Sequence, residues 1–153
     1  MPMTKTIDKL NSFLRGEISA IETYKIALQK FEKATFVSAL RDNLASHEER
    51  VSSLHAEIVK YGGEPAAGSG AWGSFAKAIS SGAAVFGEKA AIAALEEGED
   101  HGCNDYQREL EDIEPPTREF VQGLLAEQLK THAVLSTLKK QLGGDHSPRH
   151  PNA

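Results

Sequence analysis

The amino-acid sequence predicts an all-α fold, a four-helix bundle built from two helical hairpins in tandem, and three observations predict it. Gly-Glu, six residues, Tyr, three residues and Leu occur twice, as Gly16-Glu17 to Tyr24 and Leu28 and as Gly98-Glu99 to Tyr106 and Leu110. Each copy lies in a segment whose apolar residues recur in steps of three and four, the period of a helix that buries one stripe. Each is followed by a second such segment that stops at a glycine pair, Gly62-Gly63 in the first half and Gly143-Gly144 in the second.

The first helix is expected from about Thr6 to Glu32, with Ile7, Leu10, Phe13 or Leu14, Glu17, Ile21, Tyr24, Leu28 and Phe31 facing inward. Leu40, Leu44, His47, Val51, Leu54, Ile58 and Tyr61 repeat the pattern in the second, and Gly62-Gly63 supplies the left-handed residue that ends helices. Residues 62–87 form the crossover, rich in Gly, Ala and Ser; a connection this long holds structure of its own, and Trp72, Phe75, Ala76 and Ile79 predict a short helix covering the core. The third helix is expected from about Glu88 to Asp112, with Leu95, Glu99, Cys103, Tyr106 and Leu110 inward. Glu114-Pro115-Pro116 stops it and opens the fourth, because proline is tolerated only in a first helical turn. That helix runs to about Leu142, with Val121, Leu124 or Leu125, Gln128, His132, Leu135 and Leu138 inward. Residues 1–142 therefore read as one bundle, and residues 143–153, with no apolar face, as a disordered tail.

Composition narrows the function. The chain has 153 residues and a net charge of −5, with Lys and Arg scattered, so nucleic-acid binding has no electrostatic footprint. The single cysteine, Cys103, excludes an intramolecular disulfide and a Cys-rich zinc site. The first residues lack the apolar run of a signal peptide, and nowhere do about eighteen apolar residues run together, so no membrane association is expected and a reducing cytoplasm fits best. The sequence offers no Gly-rich phosphate loop and no Ser-His-Asp arrangement.

The chemistry concentrates at one predicted level of the bundle. About a turn near Lys33, Glu17 falls level with the gap between His47 and Val51; about Glu114, Glu99 falls at the same height relative to Gln128 and His132. Glu17, His47, Glu99 and His132 are thus expected to face one another, with Gln128 beside them. Two core-facing glutamates require protons, hydrogen-bond partners or a cation. Two carboxylates with two imidazoles would suit iron, manganese or zinc, and Tyr24 and Tyr106, one heptad after each Glu, would donate hydrogen bonds to the carboxylates. Without metal, the same positions describe a buried glutamate pair held by Tyr24, Tyr106 and Gln128.

Two short-loop hairpins joined by a long crossover is the topology of ferritin-like bundles. The Gly16-Glu17 to Tyr24 and Gly98-Glu99 to Tyr106 elements, with Ser46-His47-Glu48-Glu49-Arg50, resemble the ferritin-like superfamily, in which a metal-binding Glu is followed one heptad later by Tyr. More closely, Leu10 to Leu142 resembles a bacterial group of ferritin-like proteins that carries a domain-of-unknown-function label. The resemblance implies iron or manganese held by Glu17 and Glu99, with Glu49 as a further ligand, and a role in oxygen or peroxide handling under oxidative or general stress. It departs at one motif: aligning Glu49 with the Glu of the family's Glu-x-x-His puts Ser52 at the histidine, and the fourth helix offers Lys130 and Thr131. A standard di-iron centre is therefore not expected. The competing expectation is a metal-free helical module acting as a homo-oligomer or on another protein. Whether the chain is an enzyme stays open on the sequence alone.

Overall fold

A computed structural model describes residues 2–70 and 87–146. These residues form four long helices, α1 (Pro2–Leu28), α2 (Ala34–Lys60), α3 (Glu88–Glu109) and α4 (Pro115–His146), with a 3-10 turn over Leu110–Asp112. None of these helices is long and apolar enough to cross a membrane. The predicted short helix around Trp72 and Phe75, and the tail beyond residue 146, lie outside the described residues.

The helix ends follow local chemistry. Helix α1 opens on Pro2, whose missing N–H costs nothing in a first turn. It stops at Leu28, four residues before the predicted end, where Lys30 N donates to the Ala27 carbonyl at 2.8 Å in a tight turn. Stacked Phe31 and Phe36, with centroids 5.6 Å apart, close the hairpin. Helix α2 ends as predicted at Gly62 (φ 83°), after which Gly63 N donates to the Ile58 carbonyl at 2.9 Å. A β-carbon on Gly63 would stand 2.6 Å from Ile7 Cγ2, so a larger residue here would have to push α1 or the Ile7 side chain away. The second glycine pair does not repeat this. Among the described residues nothing lies within 4 Å of the β-carbon position of Gly143, and α4 continues four residues past the predicted boundary at Leu142.

Two apolar clusters fix the helix directions. Leu10, Phe13 and Leu14 from the start of α1 pack with Leu54 and Ile58 from the end of α2, Tyr106 from the end of α3 and Val121 and Leu124 from the start of α4. Tyr24, Ala27, Leu40, Ala91, Ile92, Leu95, Leu135 and Leu138 form the other cluster from the opposite ends. Helix α1 therefore runs antiparallel to α2 and to α3, and α4 antiparallel to α3 and to α2, while α2 and α3 point the same way. That last relation requires a crossover the length of the bundle. Its first part climbs α1: Asn11 donates to the Glu64 carbonyl at 3.0 Å and accepts from Ala66 N at 2.7 Å, and Ser69 donates to Glu22 at 3.0 Å.

The two clusters share no residue, and a polar layer separates them. Leu10→Ala and Leu40→Ala, both at fully buried positions, are each expected to cost about 2–5 kcal/mol. In the double variant the losses should add to within about 0.5 kcal/mol in urea unfolding. A clear excess or deficit would show that the layer does not insulate one cluster from the other.

Candidate functional site

The duplicated motif builds the centre of the layer. Because α1 and α3 are antiparallel and Tyr follows Glu by seven residues in both, the register that sets Tyr106 beside Glu17 also sets Tyr24 beside Glu99. Each phenol donates to the other half's carboxylate at 2.5 Å. Asn43 of α2 donates to the Tyr24 hydroxyl at 2.9 Å and to the Thr131 carbonyl at 3.0 Å, tying α1, α2 and α4 together.

His47 stands between the two carboxylates. Its Nδ1 lies 2.5 Å from Glu17 Oε1 and its Nε2 lies 2.8 Å from Glu99 Oε2, so a ring protonated at both nitrogens donates to both. One turn on, Arg50 Nη1 donates to Glu17 Oε2 at 3.3 Å and to Gln128 Oε1, Nη2 donates to Thr131 Oγ1 at 3.0 Å and Ser46 Oγ at 3.2 Å, and Nε donates to the Ser46 carbonyl at 3.4 Å. From α4, Gln128 Nε2 and Thr131 Oγ1 each donate to Glu99 Oε1 at 2.7 Å. Glu17, His47, Arg50 and Glu99 are all at most 3 % exposed, and among the described residues no buried side-chain N or O lacks a partner.

The charge states follow. Burial is the strongest influence on Glu17 and pushes its pKa up, but the charge and hydrogen bond of His47, the charge of Arg50 and the Tyr106 hydroxyl outweigh it, and the carboxyl is held below its ordinary 4.5. Burial likewise works against a charged His47, and the two glutamates prevail, raising it above 6.5. Burial, then Glu99, pushes Tyr24 well above 10; burial, then Glu17, does the same to Tyr106. Both phenols stay protonated donors. Burial and the nearby Glu99 and Asp100 lift the Cys103 thiol to about 11, which removes it as a nucleophile.

Of the predicted site residues, Glu17, Glu99, His47, Tyr24, Tyr106 and Gln128 are brought together. His132 and Glu49 are not. The inward step from Gln128 on α4 is three residues, to Thr131, before Leu135; His132 faces the rim, where its Nε2 lies 2.5 Å from Asp100 Oδ1. On α2 the buried positions are Phe36, Leu40, Asn43, His47, Arg50, Leu54 and Ile58, which turns Glu49 to solvent. Sequence reasoning missed Arg50, Asn43 and Thr131. One signal pointed at Arg50: two buried carboxylates need cationic charge, and one turn after His47 the stripe offers Val51 or Arg50.

The layer does not fit a transition metal. The nitrogens of one imidazole point to opposite sides, so Glu17 and Glu99, each bonded to a different one, cannot meet His47 at a shared ion. Glu99 also accepts from Gln128, Thr131 and Tyr24, and Glu17 Oε2 accepts from Arg50 and Tyr106, while among the described residues no three His, Cys, Asp or Glu side chains are arranged to hold a metal. His47 has no nitrogen left for a substrate proton. The cavity beside the layer, between α1 and α3, measures about 50 Å³ and is walled in part by Gly16, Ala20, Gly98 and Gly102, room for water-sized molecules.

Residues 5–112, more than half of the chain, match the family model described as Domain of unknown function (DUF2383), and the chain belongs to that family. No curated protein and no solved structure matches it.

Two predictions test the layer. The contribution of a group with a raised folded pKa is complete below its unfolded value and lost as pH rises; for a lowered carboxyl it is complete above that value and lost as pH falls. The His47 and Glu17 terms are therefore both complete between 4.5 and 6.5. Urea midpoints should fall on either side of that window, and His47→Gln should abolish the alkaline decline; an unchanged alkaline limb in the variant would assign it to other groups. In the second, a β-carbon on Gly102 would meet Gln128 Nε2 at 2.6 Å, whereas at Gly123 it would meet nothing within 4 Å. Gly102→Ala should cost about 1–3 kcal/mol despite its gain in helix propensity, and Gly123→Ala should stabilise by about 0.5–1 kcal/mol.

Proposed function

We propose that this chain is a ferritin-like bundle that works without a metal, a bacterial cytoplasmic helical module acting through its outer surface as a homo-oligomer. The ferritin-like part rests on helix direction: two antiparallel hairpins whose second and third helices run the same way, joined by a lengthwise crossover. The metal-free part rests on one observation, the charge pairing within the polar layer. Both carboxylates are matched by side-chain cations and donors from the chain itself, so the layer balances its charge without an ion. With its core occupied in holding itself together, the work falls to the outer faces.

A second reading keeps iron or manganese at Glu17, Glu99 and His47, with a role in oxidative or general stress. The convergence of these three side chains in one layer favours it. It requires the Arg50 guanidinium to leave Glu17 and the His47 ring to release at least one carboxylate.

Elemental analysis separates the two. Protein purified without chelator or affinity tag is expected to carry far less than one iron, manganese or zinc per chain. Glu17→Ala should leave that content unchanged while costing about 3–5 kcal/mol, because it leaves the buried Arg50 without a carboxylate and His47 with Glu99 alone. Near-stoichiometric metal that disappears with Glu17→Ala would establish the second reading instead. Sedimentation velocity should give a discrete species heavier than the 16.5 kDa chain; a monomer at every concentration would remove the homo-oligomer.

A further inference from the structure

Six side chains at one level of the bundle have a regular provenance. Helices α1 and α3 give one glutamate each, Glu17 and Glu99. Helices α2 and α4 each give a pair spaced i, i+3: His47 with Arg50, and Gln128 with Thr131. The ferritin-like di-metal layout has this form, one Glu from each of two helices and a Glu-x-x-His pair from each of the other two, all inward. Here the stations remain and the occupants differ. The charge is rebalanced as well: that ligand set carries four carboxylates against two divalent ions, whereas this layer has two carboxylates against an imidazolium and a guanidinium.

We infer that Arg50 is the resident cation of a ferritin-type metal station, and that the divalent-cation site beneath it is closed by its side chain and not lost from the fold. This rests on the ferritin-like reading. The geometry that carries it is the reach of the guanidinium from α2: it bonds Glu17 of α1 and both α4 station residues, Gln128 and Thr131, and its remaining donors go to Ser46. Glu99, at the other side of the layer, shares Gln128 and Thr131 with it. A side chain that ends short of this point leaves Glu17 and Glu99 with one cation between them. A divalent first-row ion is the ligand that charge balance then calls for.

The test uses full-length protein and Co²⁺ alone, followed by visible absorption, which reports ligation by nitrogen and oxygen. Wild type and Arg50→Lys, which keeps the charge, should show no core site. Arg50→His, which puts a ligand back at the second station of α2, should bind one Co²⁺ on the order of 100-fold more tightly than wild type or better, the equivalent of the penalty for leaving a buried carboxylate without its cation. Glu99→Gln in the Arg50→His background should abolish that binding, which separates the core from surface histidines. Arg50→Ala serves where Arg50→His misfolds: folding restored by Co²⁺ supports the inference, and a chain that stays unfolded with Co²⁺ counts against it. Folded Arg50→His that takes up no more Co²⁺ than wild type overturns it. Stoichiometric metal in the wild-type protein would instead overturn the metal-free reading on which it stands.

Discussion

Two carboxylates lie at one level of this bundle, at most 3 % exposed, and the surrounding structure is arranged to keep them charged. Removing an ion from water costs several kcal/mol even after relaxation, so the penalty has to be offset at the same place. The chain does this with an imidazole that bonds both carboxylates and a guanidinium that bonds one. Two phenols fill further lone pairs. Because each phenol crosses to the other half, sliding α3 by one turn against α1 breaks both tyrosine bonds together and takes a donor from each glutamate. The layer therefore specifies the register in which the two hairpins pair, while the apolar clusters above and below supply most of the burial.

The sequence carried the architecture well because periodicity and punctuation are local. Gly62 ends α2 where expected and Pro115 opens α4, each for a backbone reason that operates within a few residues. Gly143 shows the limit of that logic. Glycine permits a left-handed turn but does not compel one, and after Gly62 the chain also packs closely on Ile7 of α1 through Gly63, a contact that Gly143 lacks among the described residues.

The acidic half of the site was legible for a similar reason. Two copies of one motif, with the same Glu-to-Tyr spacing, place their side chains alike whichever way the hairpins pack. The cationic and amide half was not. The inward stripes mix steps of three and four, and the choice at one step decides between Arg50 and Val51 on α2 and between Thr131 and His132 on α4. Burial preference favours Val51 over Arg50, since arginine is seldom buried unless paired. Its pairing partners lie on α1 and α4, 33 and 78 residues away in the chain, so the decisive term was tertiary.

The halves of the molecule are alike in α1 and α3 and unlike in α2 and α4. Both cations of the layer come from α2, and α4 supplies the neutral Gln128 and Thr131 that orient Glu99. The layer is thus close to neutral without any outside ion, but only with all four helices in place. A cation tethered by a covalent bond differs from a bound metal in what it permits: it cannot dissociate, change its oxidation state or accept a new ligand. A core of this kind holds the bundle to one register.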